Sequence, residues 1–204
     1  MTDSCRKNGC PACRLSGTLR GMATGKAVLA SLGLWLIAAA LINGKPFGIA
    51  QLREITGGAT ILDMTFTTGP ESVYTVLSAL GDAGRAFDLT HIVPLDLAFP
   101  FTYALFLSLG ISWALSRLLP EGSPWFLLNL APVCAAAADY CENAGVITLL
   151  LTYPVRLDPV AWFVSIMYSI KFLFSAVSFV TLVIALAGCA VLVLARRPGR
   201  SPFV

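Results

Sequence analysis

Four ionisable residues stand inside long apolar stretches of this sequence: Asp96, Asp139, Glu142 and Lys171. A charge in hydrocarbon-like surroundings is costly and persists where it is paired or used, so these four are the catalytic candidates. Asp139 and Glu142 occupy positions i and i+3 of the run Asp-Tyr-Cys-Glu-Asn, which on a helix sets both carboxylates on one face with Asn143 beside them. Carboxylates held in opposite protonation states are what general acid–base work requires. Lys171 is the cation within reach of such a pair.

The same faces extend along their helices. Asn129, Pro132, Ala136, Asp139 and Asn143 recur at steps of three or four, as do Tyr168, Lys171, Ser175 and Ser178, and Asp96, Pro100 and Tyr103. Polar and small stripes on apolar helices turn toward one another, so the three should meet inside a bundle. Their depths place a polar cluster in the outer half, with Asn143, Tyr103, Tyr168, His91 and Arg85 as ligand-binding candidates, the last two near its mouth. Three functions of different class follow. The first is a structural or interaction role, in which Lys171 neutralises one carboxylate, another keeps its proton, and the network fixes helix register. The second is an intramembrane enzyme or binding protein that uses Asp139 and Glu142 on a lipid-like small molecule. The third is proton- or ion-coupled transport, against which the lack of a visible inverted repeat counts.

No metal or cofactor is expected. His91 is the sole histidine, which excludes bis-histidine haem and histidine-rich zinc sites within one chain. A carboxylate cluster without histidine suits only hard cations. The leader carries Cys5, Cys10 and Cys13, spaced like three ligands of a plant-type iron–sulfur cluster but without a fourth, and Cys10-Pro-Ala-Cys13 lacks the βαβ setting of a redox motif. Reduced thiols on a disordered tail are the expectation, with palmitoylation or zinc shared across a dimer as alternatives. Cys134, Cys141 and Cys189 lie in apolar runs, and no disulfide framework is implied.

The elements that must position these residues are written in the composition. The chain has 204 residues, is 57% hydrophobic and only 12% charged, and its mean hydropathy is +0.79, far above that of a water-soluble domain. Stretches at about 23–43, 91–118, 124–152 and 159–195 reach the length of some 20 apolar residues needed to cross a bilayer. The last is too long for a single upright crossing, so it tilts, protrudes, or keeps its first turns around Trp162 at the interface.

Arg6, Lys7, Arg14, Arg20, Lys26, Arg117, Arg196, Arg197 and Arg200 share one side of a four-span arrangement and outnumber Lys45, Arg53, Arg85 and Arg156 on the other. The richer side is expected to be cytoplasmic. The net charge of +3 resides at the ends and points to membrane orientation, with no nucleic-acid partner. A cleaved signal peptide in place of the first span is the alternative, disfavoured by the long cysteine-bearing leader.

Residues 44–90, between the first two spans, are too many for an idle connection. Leu62, Met64 and Phe66 alternate with Asp63 and Thr65, which suits a short strand or extended piece. Gly69-Pro70-Glu71 then reads as a helix start, with Val73, Val76, Leu77 and Leu80 on one face and Gly81 as the stop.

The run from Leu62 to Pro154 contains Asp63-Met64, Gly84-Arg85, Pro94-Leu-Asp-Leu-Ala-Phe-Pro100, Asp139-x-x-Glu142-Asn143 and Leu151-Thr-Tyr-Pro154. In these it resembles a family of bacterial four-helix integral membrane proteins. The resemblance implies a four-helix fold with a polar core and assigns no catalytic residue; the cysteine leader lies outside it.

The expected architecture is therefore an all-α integral membrane protein in the bacterial inner membrane, both termini cytoplasmic. A disordered leader (1–22) precedes a four-transmembrane-helix bundle (23–198) with a partly folded external segment, and a short tail (199–204) follows. Membrane lipids are its partners, with a lipid-like small molecule possible; protein partners and oligomeric state stay open.

Overall fold

The computed structural model describes residues 10–195, and within them every regular element is helical. Cys5, Arg6, Lys7, Arg196, Arg197, Arg200 and the 199–204 tail lie outside the described residues. In chain order the elements are α1 (Pro11–Met22), α2 (Gly25–Asn43), α3 (Ile49–Thr56), a 3-10 turn (Leu62–Met64), α4 (Pro70–Phe87), a π-turn (Asp88–Ile92), α5 (Val93–Leu118), a 3-10 segment (Pro124–Leu130), α6 (Ala131–Thr152) and α7 (Asp158–Ala195).

Four of these stretches are long and apolar enough to cross a membrane: α2, the run through α4 and α5, the 3-10 segment with α6, and α7. Their outer surfaces agree with that use. Leu29, Ile37, Phe172, Val183 and Ile184 are all more than 60% exposed, an apolar coat that water would not tolerate on this scale. The fold is thus compatible with a multi-pass membrane protein. At 38 residues α7 is one continuous helix of about 57 Å, so the turns around Trp162 belong to the same helix as the apolar run that follows.

Local chemistry sets the boundaries. Thr24 caps α2, its hydroxyl accepting from the Ala27 amide at 3.2 Å. Pro11 and Pro70 stand in first turns, where a missing N–H costs nothing. Gly81 ends the first helical stretch of α4, where the sequence places a stop. It takes φ 61°, ψ 179°, which L side chains avoid, and the helix resumes beyond it on a new axis.

Two expectations are corrected. The alternation at Leu62–Phe66 gives no strand: Leu62 is buried and Met64 and Phe66 are exposed, but the segment is a 3-10 turn closed by the Thr65 hydroxyl donating to the Ile61 carbonyl. Five alternating residues lack a partner strand, and an isolated strand cannot satisfy its own backbone. The leader is also ordered from Pro11 onward. The Ser16 hydroxyl donates to the Phe126 carbonyl, the Arg20 guanidinium lies 3.7 Å from the Phe126 ring centre, and Asn129 donates to the Ser16 carbonyl. Within that leader Cys13 is disulfide-bonded rather than reduced, while Cys10 is a free, exposed thiol.

The core has three apolar clusters: Ile42, Ile49, Leu52, Ile61, Leu80 and Ile92 form one where α2, α3 and α4 meet, and the other two are layers along the central helices. One layer, from Tyr103 to Leu115 on α5 with Ala135 and Ala136 on α6 and Leu182 and Ala185 on α7, fills the half of the bundle nearest the end of α7. The other joins Leu62, Val73, Tyr74 and Leu77 of the 44–90 segment to Val146, Leu149 and Leu150 of α6 and Ala161 and Val164 of α7. Gly145 permits close contact there, since a Cβ on it would stand 2.5 Å from a Val164 methyl. α5, α6 and α7 form the tight centre, and α2 packs chiefly on α5.

Candidate functional site

Between the two apolar layers the inward residues turn polar on all three central helices: Asp96 on α5, Asp139, Glu142 and Asn143 on α6, Ser165 and Lys171 on α7. The helical repeat of three or four residues aligns them, as the stripes in the sequence imply. Lys171 is the hub. Its Nζ lies 2.7 Å from Glu142 Oε2 and 3.5 Å from Asp139 Oδ1, and it forms an ion pair with Asp63. Asp139 Oδ2 accepts from the Tyr103 hydroxyl at 3.0 Å.

Asp63 is the member that sequence reasoning placed elsewhere, in the segment between the first two spans. Three contacts hold it over α7: Leu62 is buried beneath it, the Phe66 ring meets Tyr168 edge-on at 5.9 Å, and the Ser165 hydroxyl donates to Thr67 at 3.2 Å. Only the pairing of Asp63 with Met64 in the family-like run marked it out, and that carried no role.

The remaining candidates divide. Asn143 is buried and donates to the Asp96 backbone carbonyl at 3.5 Å, which ties α6 to α5 beside the hub. Tyr168 presents its ring 5.3 Å from Lys171 Nζ. His91 and Arg85 do not join the cluster. His91 stacks on Phe87 at 4.4 Å and on Phe47 at 6.1 Å, with its Nδ1 2.8 Å from the Thr90 hydroxyl. Arg85 donates to the Leu77 carbonyl at 2.7 Å, pairs with Asp82 and covers the Tyr153 ring. Both serve the packing of the capping segment, which bends away at Gly81.

Acid exceeds base in the cluster. Asp63, Asp139 and Glu142 surround one ammonium, so full ionisation leaves two negative charges uncompensated, and Asp96 is buried nearby with Oδ1 lacking a donor among the described residues. Glu142, 1% exposed, meets Lys171 by distance but without hydrogen-bond alignment, and its Oε1 has no partner among the described residues. Buried charge of one sign is expensive, so such a cluster takes up protons or further cations. Ligand oxygens of Asp63, Asp139 and Glu142 lie within 4.8 Å of one another, a spacing that could hold a hard cation. Lys171 already directs its ammonium at all three.

A cavity of about 240 Å³ opens beside the hub. Asp63, Asp139, Lys171 and Ser175 provide its polar end; Trp35, Phe99, Tyr103, Tyr168, Phe172 and Phe179 provide its walls. It lies where α2 leaves α7, the two helices meeting through Trp35 and Phe179, whose rings are 6.3 Å apart. Phe172 and Phe179 are exposed on the outer face of α7, so the cavity is continuous with the apolar flank of the bundle. A larger hollow of about 750 Å³ between α5 and the end of α7 is lined by apolar side chains with Arg117 at its edge, and contains no clustered polar groups.

Comparison with protein-family models, with curated proteins and with solved structures finds no match. The chemistry of the site therefore rests on its own geometry.

Proposed function

We propose that this chain is a multi-pass protein of the bacterial inner membrane that binds a lipid-like small molecule in the cavity between α2 and α7, head group toward Lys171, Asp63 and Asp139. The observation that carries the reading is the continuity of one cavity from a buried ionic hub to an exposed apolar flank. Purely structural ion-pair networks need no such opening, and pockets for small molecules typically join apolar walls to a few convergent polar groups. Of the two carboxylates singled out from sequence, Asp139 lines the cavity and Glu142 stands behind Lys171. Asp139 is thus the group placed to touch a bound molecule, and any acid–base step falls to it. The ion pairs also fix the 61–67 segment on the bundle, so the binding reading contains the structural one.

The reading is tested by native mass spectrometry of protein extracted in a mild neutral detergent. An amphiphile should be retained by the wild type and lost from Ser175→Phe, which fills the polar end. Protein that is bare from the outset, or equally loaded in both forms, refutes the proposal.

The orientation follows from charge. Arg14, Arg20, Lys26 and Arg117 gather at the end of the bundle opposite the 44–90 segment, which supports cytoplasmic termini. The disulfide at Cys13 points the other way, because such bonds are uncommon in a reducing cytoplasm. An impermeant maleimide on intact cells decides between them. A cysteine placed at Ser72 should be labelled and the exposed Cys10 spared, whereas labelling of Cys10 alone inverts the topology.

A further inference from the structure

We infer that the occupant of this cavity is a cationic amphiphile, a long apolar chain ending in a protonated amine. The inference rests on the binding role proposed above and specifies its ligand. Charge complementarity carries it. When ionised, the three carboxylates around Lys171 leave two negative charges unmatched among the described residues, and two of those carboxylates, Asp63 and Asp139, line the cavity itself. Glu142, almost fully buried behind them, has neither carboxylate oxygen hydrogen-bonded among the described residues. An entering ammonium brings donors and charge to a site furnished with acceptors and negative charge. A carboxylate or phosphate head would face like charges in a poorly screened setting.

The walls suit the same head group. Tyr168 already turns its ring toward one ammonium, that of Lys171, and aromatic faces attract cations more strongly where water is excluded. Below the head, the stretch of α7 from Lys171 to Phe179 rises about 12 Å. Along it Phe172, Phe179 and Trp35 offer apolar surface without further charges. A volume of about 240 Å³ holds a compact head and the first part of a chain, the rest lying along the exposed flank. Asp63, with 30% of its side chain exposed, stands at the accessible edge, where an amine would first be met.

The test uses Trp35, which lines the cavity, as reporter. The full-length protein in lipid nanodiscs is titrated with a terminally brominated long-chain primary amine, and separately with the matching alcohol and carboxylate, while tryptophan fluorescence is followed. A Trp35→Phe variant defines the signal from the other tryptophans. The amine should quench Trp35 saturably at about tenfold lower concentration than the alcohol, the ratio that one charge-assisted hydrogen bond supplies, with the carboxylate weakest. Asp63→Asn, a change at the rim, and Asp139→Asn, deeper in, should each reduce the preference for amine over alcohol. Saturable quenching that is equal for amine and alcohol would overturn the amine assignment and leave the lipid-binding cavity standing. Quenching that never saturates with any of the three would remove the cavity reading as well.

Discussion

Two buried polar ties hold this bundle together, and they are built on opposite plans. Around Asn129 the hydrogen bonds join neutral groups: its amide donates to the Ser112 hydroxyl at 2.9 Å and to the Ser16 carbonyl at 3.2 Å, and Ser112 in turn donates to the Ser108 carbonyl. Around Lys171 the contacts join ionisable groups, the acids outnumber the base, and a cavity opens beside them. The first arrangement anchors α1 to the bundle at the cost of a few desolvated amides and hydroxyls. The second carries charge that replacement by apolar side chains of similar volume would avoid. A protein that needed only a fastening could use the neutral plan twice; retention of the charged one beside an opening is what a binding site requires.

The sharpest way to break that contrast is to remove Lys171. In Lys171→Met three carboxylates are left facing one another, and loss of one partner from a buried charge group typically costs about 3–5 kcal/mol unless the survivors take up protons. The melting temperature of the detergent-solubilised variant should fall clearly. Adding Glu142→Gln or Asp139→Asn should restore part of the loss, because a charge is removed while hydrogen-bonding capacity remains. Strict additivity of the single and double variants would show that Lys171 does not depend on these carboxylates. Should Glu142→Gln by itself stabilise the protein, the carboxylate is kept against stability, and the functional side of the comparison is strengthened.

How much of this was legible in the sequence depends on where the information lay. The stripes on α5, α6 and α7 were readable because helical periodicity is local, and residues three or four apart share a face whatever the rest of the chain does. Lys171, Asp139, Glu142, Tyr103 and Asn143 lie together inside the bundle. Asp63 could not be found that way. It reaches Lys171 across 108 residues of sequence, and only the seating of Leu62, Phe66 and Thr67 on the bundle brings it there. His91 and Arg85 erred in the other direction, because proximity along the chain to the mouth of the site says nothing about the bend at Gly81 that turns them toward Phe87 and Tyr153. The order in α1 was equally hidden: its polar composition is that of a tail, and its contacts are with residues more than a hundred positions away. The cavity, which depends on the separation of α2 from α7, has no local signature.

The neutral tie should respond differently. Asn129→Ala removes the donor from the Ser16 carbonyl and from Ser112 in a fully buried position, and leaving such a group without its partner costs about 1–3 kcal/mol. The loss should be concentrated in α1, so limited trypsin digestion at Arg14 and Arg20 should quicken more than the melting temperature falls. Binding in the cavity, read by Trp35 quenching, should be unchanged. If Asn129→Ala abolished binding while leaving trypsin sensitivity alone, the roles assigned to the two ties would be reversed.

The smallest effect is expected where an ion pair has neither burial nor a cavity. Lys45 pairs with Glu54 across the start of the 44–90 segment, but both side chains are about half exposed, at 52% and 55%. Water screens such a pair, and fixing two long side chains opposes much of the remaining attraction, so exposed pairs contribute about 0–1 kcal/mol. Lys45→Ala should therefore leave the melting temperature and Trp35 quenching within experimental error, and raising the salt concentration should change the wild type and the variant alike. This pair supplies the reference against which Lys171 is judged, since both are lysine–carboxylate contacts and differ in burial. Equal losses from Lys45→Ala and Lys171→Met would mean that burial does not distinguish them. The excess of acid around Lys171 would then lose its meaning as the mark of a site.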